Sequence, residues 1–126
     1  AVALALMTIE KHVEVTKNAY RRFYRFFATF WVGLILSILS NNMGIYWIGL
    51  ELATLSTVYM IKTNHSNMAH KEAWNYMIVG AIAISLVLFG IILIYASAKP
   101  ILGEDAMSFD LLLSHAKDIK ASFLFN

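Results

Sequence analysis

The sequence predicts an all-α protein, a polytopic transmembrane helix bundle. Three observations carry this. Three stretches are long and apolar enough to cross a hydrocarbon core of about 30 Å at a rise of about 1.5 Å per residue. Their apolar runs are continuous rather than strictly alternating, which is the pattern of membrane helices and not of barrel strands. Lys and Arg gather at the ends of the stretches, and the chain as a whole is 60% hydrophobic and only 14% charged, far from an ordinary soluble domain.

Residues 1–9 form an apolar run that is about half of a span of roughly 20 residues. No basic residue precedes it, as one would in a signal peptide. It is expected to be the end of a truncated transmembrane helix. The first full span covers residues 20–40 and carries Phe26, Phe27, Phe30, Trp31 and the apolar run to Leu39. The second covers 42–61. Between them stands Ser40-Asn41-Asn42, and asparagines favour turns and helix caps, so a tight helical hairpin is predicted. The third covers 73–98 and contains no Asp, Glu, Lys or Arg. After Pro100 and Gly103 the pattern changes. Residues 104–126 place Phe109, Leu112, Leu113, Ala116, Ile119 and Phe123 on one helical face, with Asp110, Ser114, Lys117 and Asp118 largely on the other. That predicts an amphipathic surface helix, with the start of a further span at its end.

Charge predicts orientation. Lys11, Lys17, Arg21, Arg22 and Arg25 precede the first full span, and Lys62 and Lys71 flank the connection between the second and third. The Asn41-Asn42 turn is uncharged. Since Lys and Arg favour the cytoplasmic side of short loops, the first span should run outward, the second inward and the third outward. Tyr20, Tyr24, Tyr46, Trp47, Tyr59, Trp74, Tyr76 and Tyr95 include residues suited to the membrane interface.

Several classes of function are excluded or disfavoured. With no cysteine there is neither a disulfide framework nor a thiolate metal site. A net charge of +2 is too small to predict a nucleic-acid partner. No phosphate-binding glycine loop, nucleophile elbow or dinucleotide fingerprint is present. No cofactor is expected, so any electron transfer belongs to partner subunits.

Glu51 is the informative residue. It stands nine residues after Asn42 and ten before Ile61, near the bilayer midplane if the segment is a helix. A charge there costs about 3 kcal/mol even on lenient insertion scales, and intramembrane carboxylates mark proton relays, ion paths or buried partners. Low-dielectric surroundings favour a neutral acid and a nearby cation favours a carboxylate, so such a group suits a switchable proton relay. A structural carboxylate inside the bundle is the alternative. Trp47 and Thr54 share its helical face and are candidate supports of a proton path. Gly49, Ala53 and Thr57 form a small-residue stripe on roughly the opposite side, and Thr29, Gly33, Ser37 and Asn41 form another on the first span. Such stripes let helices approach closely. His65, His70, Lys71 and Glu72 cluster at the basic end. Histidine titrates near neutral pH, so His70 with Lys71 suits a proton entry point, and a solvated loop accounts for the same residues.

The stretch from Phe26 to Tyr95 resembles the antiporter-like proton-channel subunits of complex I, Mrp-type antiporters and group 4 membrane hydrogenases, above all component F of the hydrogenase-4 and formate hydrogenlyase branch. The resemblance rests on Ser40-Asn41-Asn42-Met43-Gly44-Ile45-Tyr46-Trp47, Leu50-Glu51 and Ala53-Thr54-Leu55. A second block runs Lys71-Glu72-Ala73-Trp74-Asn75-Tyr76 and leads to Leu88-Phe89-Gly90. It covers most of this chain and only part of the family's longer helical core, so the chain looks like a fragment. It implies that the three spans correspond to the family's fourth, fifth and sixth helices. Glu51 then matches the fifth-helix glutamate, which pairs in the family with a lysine on the seventh. Asn75 stands where the family usually has a sixth-helix lysine, which weakens a basic role there. The resemblance implies a proton-translocating subunit in a bacterial or archaeal cell membrane, partnered by other membrane and peripheral subunits of a hydrogenase or complex I-like assembly. A cation/proton antiporter subunit and a structural membrane scaffold are the alternatives.

Overall fold

The computed structural model describes residues 1–62 and 67–125, with the side chains of 122–125 left aside. Among the described residues every regular element is a helix: α1 (Val2–Leu39), α2 (Met43–Lys62), α3 (Asn67–Leu102), a 3-10 turn (Gly103–Met107), α4 (Phe109–Ser114) and α5 (Ala116–Phe125). Three of these stretches are long and apolar enough to span a membrane.

Helix α1 departs from the expected division. The apolar run at 1–9 and the first span at 20–40 belong to one uninterrupted rod of 38 residues, about 57 Å long. Nothing between them breaks a helix: the segment Glu10 to Ala19 holds neither Gly nor Pro. The rod is nearly twice the length of α2, and its first half projects past the bundle with almost every residue exposed.

The hairpin between α1 and α2 forms where the asparagines stand. The Asn42 side-chain oxygen accepts hydrogen bonds from the backbone N–H groups of Gly44 at 2.8 Å and Ile45 at 3.3 Å, capping α2. The Ser40 hydroxyl donates to the Asn42 carbonyl at 2.7 Å. From this turn α2 packs antiparallel on α1 through small residues: Gly33 and Ser37 against Gly49 and Ala53, all buried. A Cβ added to Gly33 would lie 2.7 Å from the Gly49 carbonyl oxygen and 2.8 Å from the Ala53 nitrogen. At the far end of the pair Phe26 stacks on Tyr59, ring centroids 4.9 Å apart.

Helix α2 stands between α1 and α3. The buried positions of α3 are Ala69, Ala73, Ile84, Ile91 and Ala98. Its outer face exposes Val79, Ile82, Leu86 and Phe89, an apolar surface suited to lipid or to neighbouring membrane helices. Pro100 lies inside the last turn of α3, where it cannot donate to the Ala96 carbonyl, and Gly103 at φ +63 ends the helix. The 3-10 turn then folds back so that Ala98 and Ala106 are both fully buried.

The single amphipathic helix expected over 104–126 is instead three short pieces. Ser108 is extended, and His115 interrupts the chain again. The cause of the first break is tertiary. The N–H of Phe109 donates to the Asn41 carbonyl at 3.0 Å, and that of Asp110 donates to the Asn41 side-chain oxygen at 3.2 Å. The Asn41 amide in turn donates to the Ser108 hydroxyl at 3.2 Å and to the Asp110 carboxylate at 3.0 Å. The segment is thereby tied to the α1–α2 turn. Leu113, expected on the apolar face, is 75% exposed as a result, while Leu112 and Ile119 lie along a groove beside α3. Phe123 falls among the side chains left aside.

Candidate functional site

Glu51 lies midway along α2 and is half-buried. Its direction follows from the helix period. Gly49 and Ala53 precede and follow it by two residues, so they lie on the opposite side of α2. They are committed to α1 by close backbone approach, and this turns Glu51 toward α3. There it lines a crevice of about 30 Å³ with Thr54, Leu55, Val58, Tyr76, Met77, Gly80 and Ala81. That is space for about one or two water molecules. No Lys or Arg is among these lining residues.

Gly80 lines the crevice, and a Cβ built on it would meet no heavy atom within 4 Å. The width of the α2–α3 interface is set one turn away by Trp47. Its indole N–H donates to the Ile84 carbonyl oxygen at 3.1 Å. Trp47 thereby joins the two helices that enclose the carboxylate. Thr54 shares the crevice, but its hydroxyl donates at 3.0 Å to the backbone carbonyl of Glu51 and not to the carboxylate.

The other sequence candidates lie at the basic end. His70 lines a larger groove of about 210 Å³ with Leu55, Val58, Tyr59, Lys62, Ala73, Trp74 and Met77. Ten residues of α3 separate His70 from Gly80, an axial distance of roughly 15 Å, so His70 and Glu51 are not in contact. Leu55, Val58 and Met77 line both spaces, so the groove and the crevice adjoin. Lys71 is exposed on α3 and is not among the groove's lining residues. His65 lies outside the described residues. No group of three His, Asp or Glu side chains placed to hold a metal ion occurs among the described residues.

Sequence reasoning did not single out Tyr76, Met77 or Gly80 for the site. The available signal was the three- and four-residue spacing of His70, Ala73, Trp74, Met77, Gly80, Ala81 and Ile84 along one face of α3. In an apolar helix that face carries no hydropathy contrast to mark it.

The chain is similar to a hydrogenase-4 component F homolog of Methylacidiphilum infernorum, 40% identical over 94 residues, which is 73% of this chain and 20% of that protein. It is similar to NADH-quinone oxidoreductase subunit N of Alkalilimnicola ehrlichii, 33% identical over 67 residues, 52% of this chain and 14% of the relative. NADH-ubiquinone oxidoreductase chain 2 of Polypterus ornatipinnis is 31% identical over 90 residues, 71% of this chain and 26% of that one. The chain spans about a quarter or less of the length of these relatives. No family model and no solved structure matches it.

Proposed function

We propose, from the premise that this chain is a homologue of the antiporter-like membrane subunits of hydrogenase-4 and NADH-quinone oxidoreductase, that it carries protons across a membrane through Glu51. The observation that supports this most is the placement of one carboxylate halfway along an apolar, membrane-length helix, beside a crevice with room for water. A carboxylate in such a position is costly unless its charge is neutralised or used.

In this reading Glu51 gives up and takes up a proton as a partner cation approaches and withdraws. No Lys or Arg is among the described residues that line the crevice, so the cation comes from another helix of the assembly. Movement of that charge then drives uptake and release of a proton. Redox chemistry takes place in partner subunits of a hydrogenase or NADH-quinone oxidoreductase complex. The chain is a multi-pass membrane protein, and the membrane is the bacterial or archaeal cell membrane. Lys17, Arg21, Arg22, Arg25, Lys62 and Lys71 mark the cytoplasmic end.

The test is proton pumping by the assembled complex in vesicles, with complex abundance measured in parallel. Glu51→Gln keeps the shape and hydrogen-bonding capacity but cannot titrate. It should leave assembly intact and lower pumping on the order of a hundredfold, the scale of losing a positioned proton-transfer group. Glu51→Asp should fall between. Wild-type pumping by a fully assembled Glu51→Gln complex would leave only a structural role for the carboxylate. Pumping that required sodium would move the assignment to cation/proton exchange.

A further inference from the structure

We propose that the groove and the crevice between α2 and α3 join to form the route by which protons reach Glu51 from the basic end of the bundle, and that the Tyr76 hydroxyl relays them at its narrow end. This rests on the relay reading of Glu51 and adds a path and a second residue to it.

The groove has the form such a route needs. Its wide part, about 210 Å³, opens between Tyr59 and Lys62 on α2 and His70 and Trp74 on α3. This is enough space for several waters. The mouth therefore holds three polar side chains able to order water or exchange protons: Tyr59, Lys62 and His70. The groove meets the crevice at Leu55, Val58 and Met77, the three residues that line both spaces. Beyond them lies the crevice of about 30 Å³ that holds Glu51. The whole run covers roughly 15 Å of helix.

At the narrow end the chemistry is sparse. Thr54 already gives its proton to the Glu51 backbone carbonyl. Leu55, Val58, Met77, Gly80 and Ala81 have no exchangeable side-chain proton. Among the described residues lining the crevice, Tyr76 is the side chain with a hydroxyl left to transfer. It both donates and accepts, as a relay must. The step balances simply. The Tyr76 Oη accepts a proton from a water on the mouth side as its own O–H proton passes to the Glu51 carboxylate, directly or through one water. Tyr76 ends neutral, Glu51 ends protonated, and the water chain has lost one proton. Trp47 holds the helices at the spacing this needs through its bond to Ile84.

Two measurements on the assembled complex test the route. Tyr76→Phe keeps the ring and removes the relay oxygen. It should lower coupled proton movement by about tenfold or more, with complex abundance unchanged. Tyr76→Phe pumping at the wild-type rate while Glu51→Gln is defective would overturn the route and leave the relay reading standing. Wild-type pumping by Glu51→Gln would remove both.

Accessibility is the second measurement. The chain has no native cysteine, so single replacements can be read by mass spectrometry of this chain. Met77→Cys, at the junction of groove and crevice, should react with a small impermeant methanethiosulfonate added from the Lys62 side. Val79→Cys, on the outer apolar face at 68% exposure, should react far more slowly, because a thiol in hydrocarbon does not ionise. Equal, slow labelling at both positions would show a dry groove and overturn the proposal.

Discussion

The indole N–H of Trp47 and the backbone carbonyl of Ile84 are joined at 3.1 Å, four residues before Glu51 on α2 and four after Gly80 on α3. This single bond crosses the helix pair that encloses the carboxylate. Trp47→Phe removes the donor and keeps most of the ring. It should cost about 1 kcal/mol, the usual net worth of one hydrogen bond. Thermal unfolding of the detergent-solubilised complex should show the loss. An unchanged midpoint would mean that ring packing alone sets the α2–α3 spacing.

The α1–α2 contact is far less tolerant. A Cβ on Gly49 would overlap the Ser37 hydroxyl and lie 2.7 Å from the Gly33 carbonyl oxygen. Backbone cannot give way cheaply, so Gly49→Ala should destabilise by about 1–3 kcal/mol, the range for overpacking. Gly49→Leu should prevent assembly. Gly80→Ala, with open space around its Cβ, should assemble normally. Assembly yield of the three variants side by side is the measurement, and equal yields would place the Gly49 stripe against lipid.

Gly80 also offers a way to fill the site without disturbing the bundle. Gly80→Val adds two methyl groups and a Cβ at the lining of the crevice beside Glu51, where a Cβ meets no heavy atom within 4 Å. Complex abundance should stay near wild type, and coupled proton movement should drop by about tenfold if water in the crevice carries the proton. Retained pumping would place the working water elsewhere around Glu51.

Asn41 ties the hairpin turn to α4 with both ends of its amide. Asn41→Ala leaves the Asp110 N–H without its side-chain acceptor. Hydrogen exchange of that amide should quicken by about tenfold, the equivalent of 1.4 kcal/mol of lost local protection. Amides in the middle of α2 should be unaffected. Equal protection in the variant would show that the backbone bond from Phe109 to Asn41 holds the segment alone.

Membrane orientation is open to direct test. Met68→Cys near the basic end and Ser114→Cys on α4 are both exposed positions. An impermeant thiol reagent should label Met68→Cys from the cytoplasmic side and Ser114→Cys from the other. Labelling of both from one side would defeat the assignment, since Lys and Arg set only the expectation.

Apolar stretches of membrane-spanning length, helical structure, the hairpin at Ser40-Asn41-Asn42 and the place of Glu51 midway along its apolar stretch were legible in the sequence alone. Each depends on local quantities: the length of an apolar run, the capping chemistry of an asparagine, a residue's count from the end of a span. The tertiary structure decided what Glu51 faces. A uniformly apolar helix has no hydrophobic side to read, because lipid and a neighbouring helix are equally apolar. Only the close approach of Gly33 to Gly49 takes one face of α2 for α1 and turns the carboxylate to α3. The tertiary structure likewise brought Tyr76 and Gly80 to the crevice that Glu51 lines and His70 to the adjoining groove. It also divided the final amphipathic stretch, since the side chain that ties Ser108 and Asp110 to the hairpin turn lies almost seventy residues away at Asn41. Periodicity reports which residues share a face, and contacts across such distances determine where that face points.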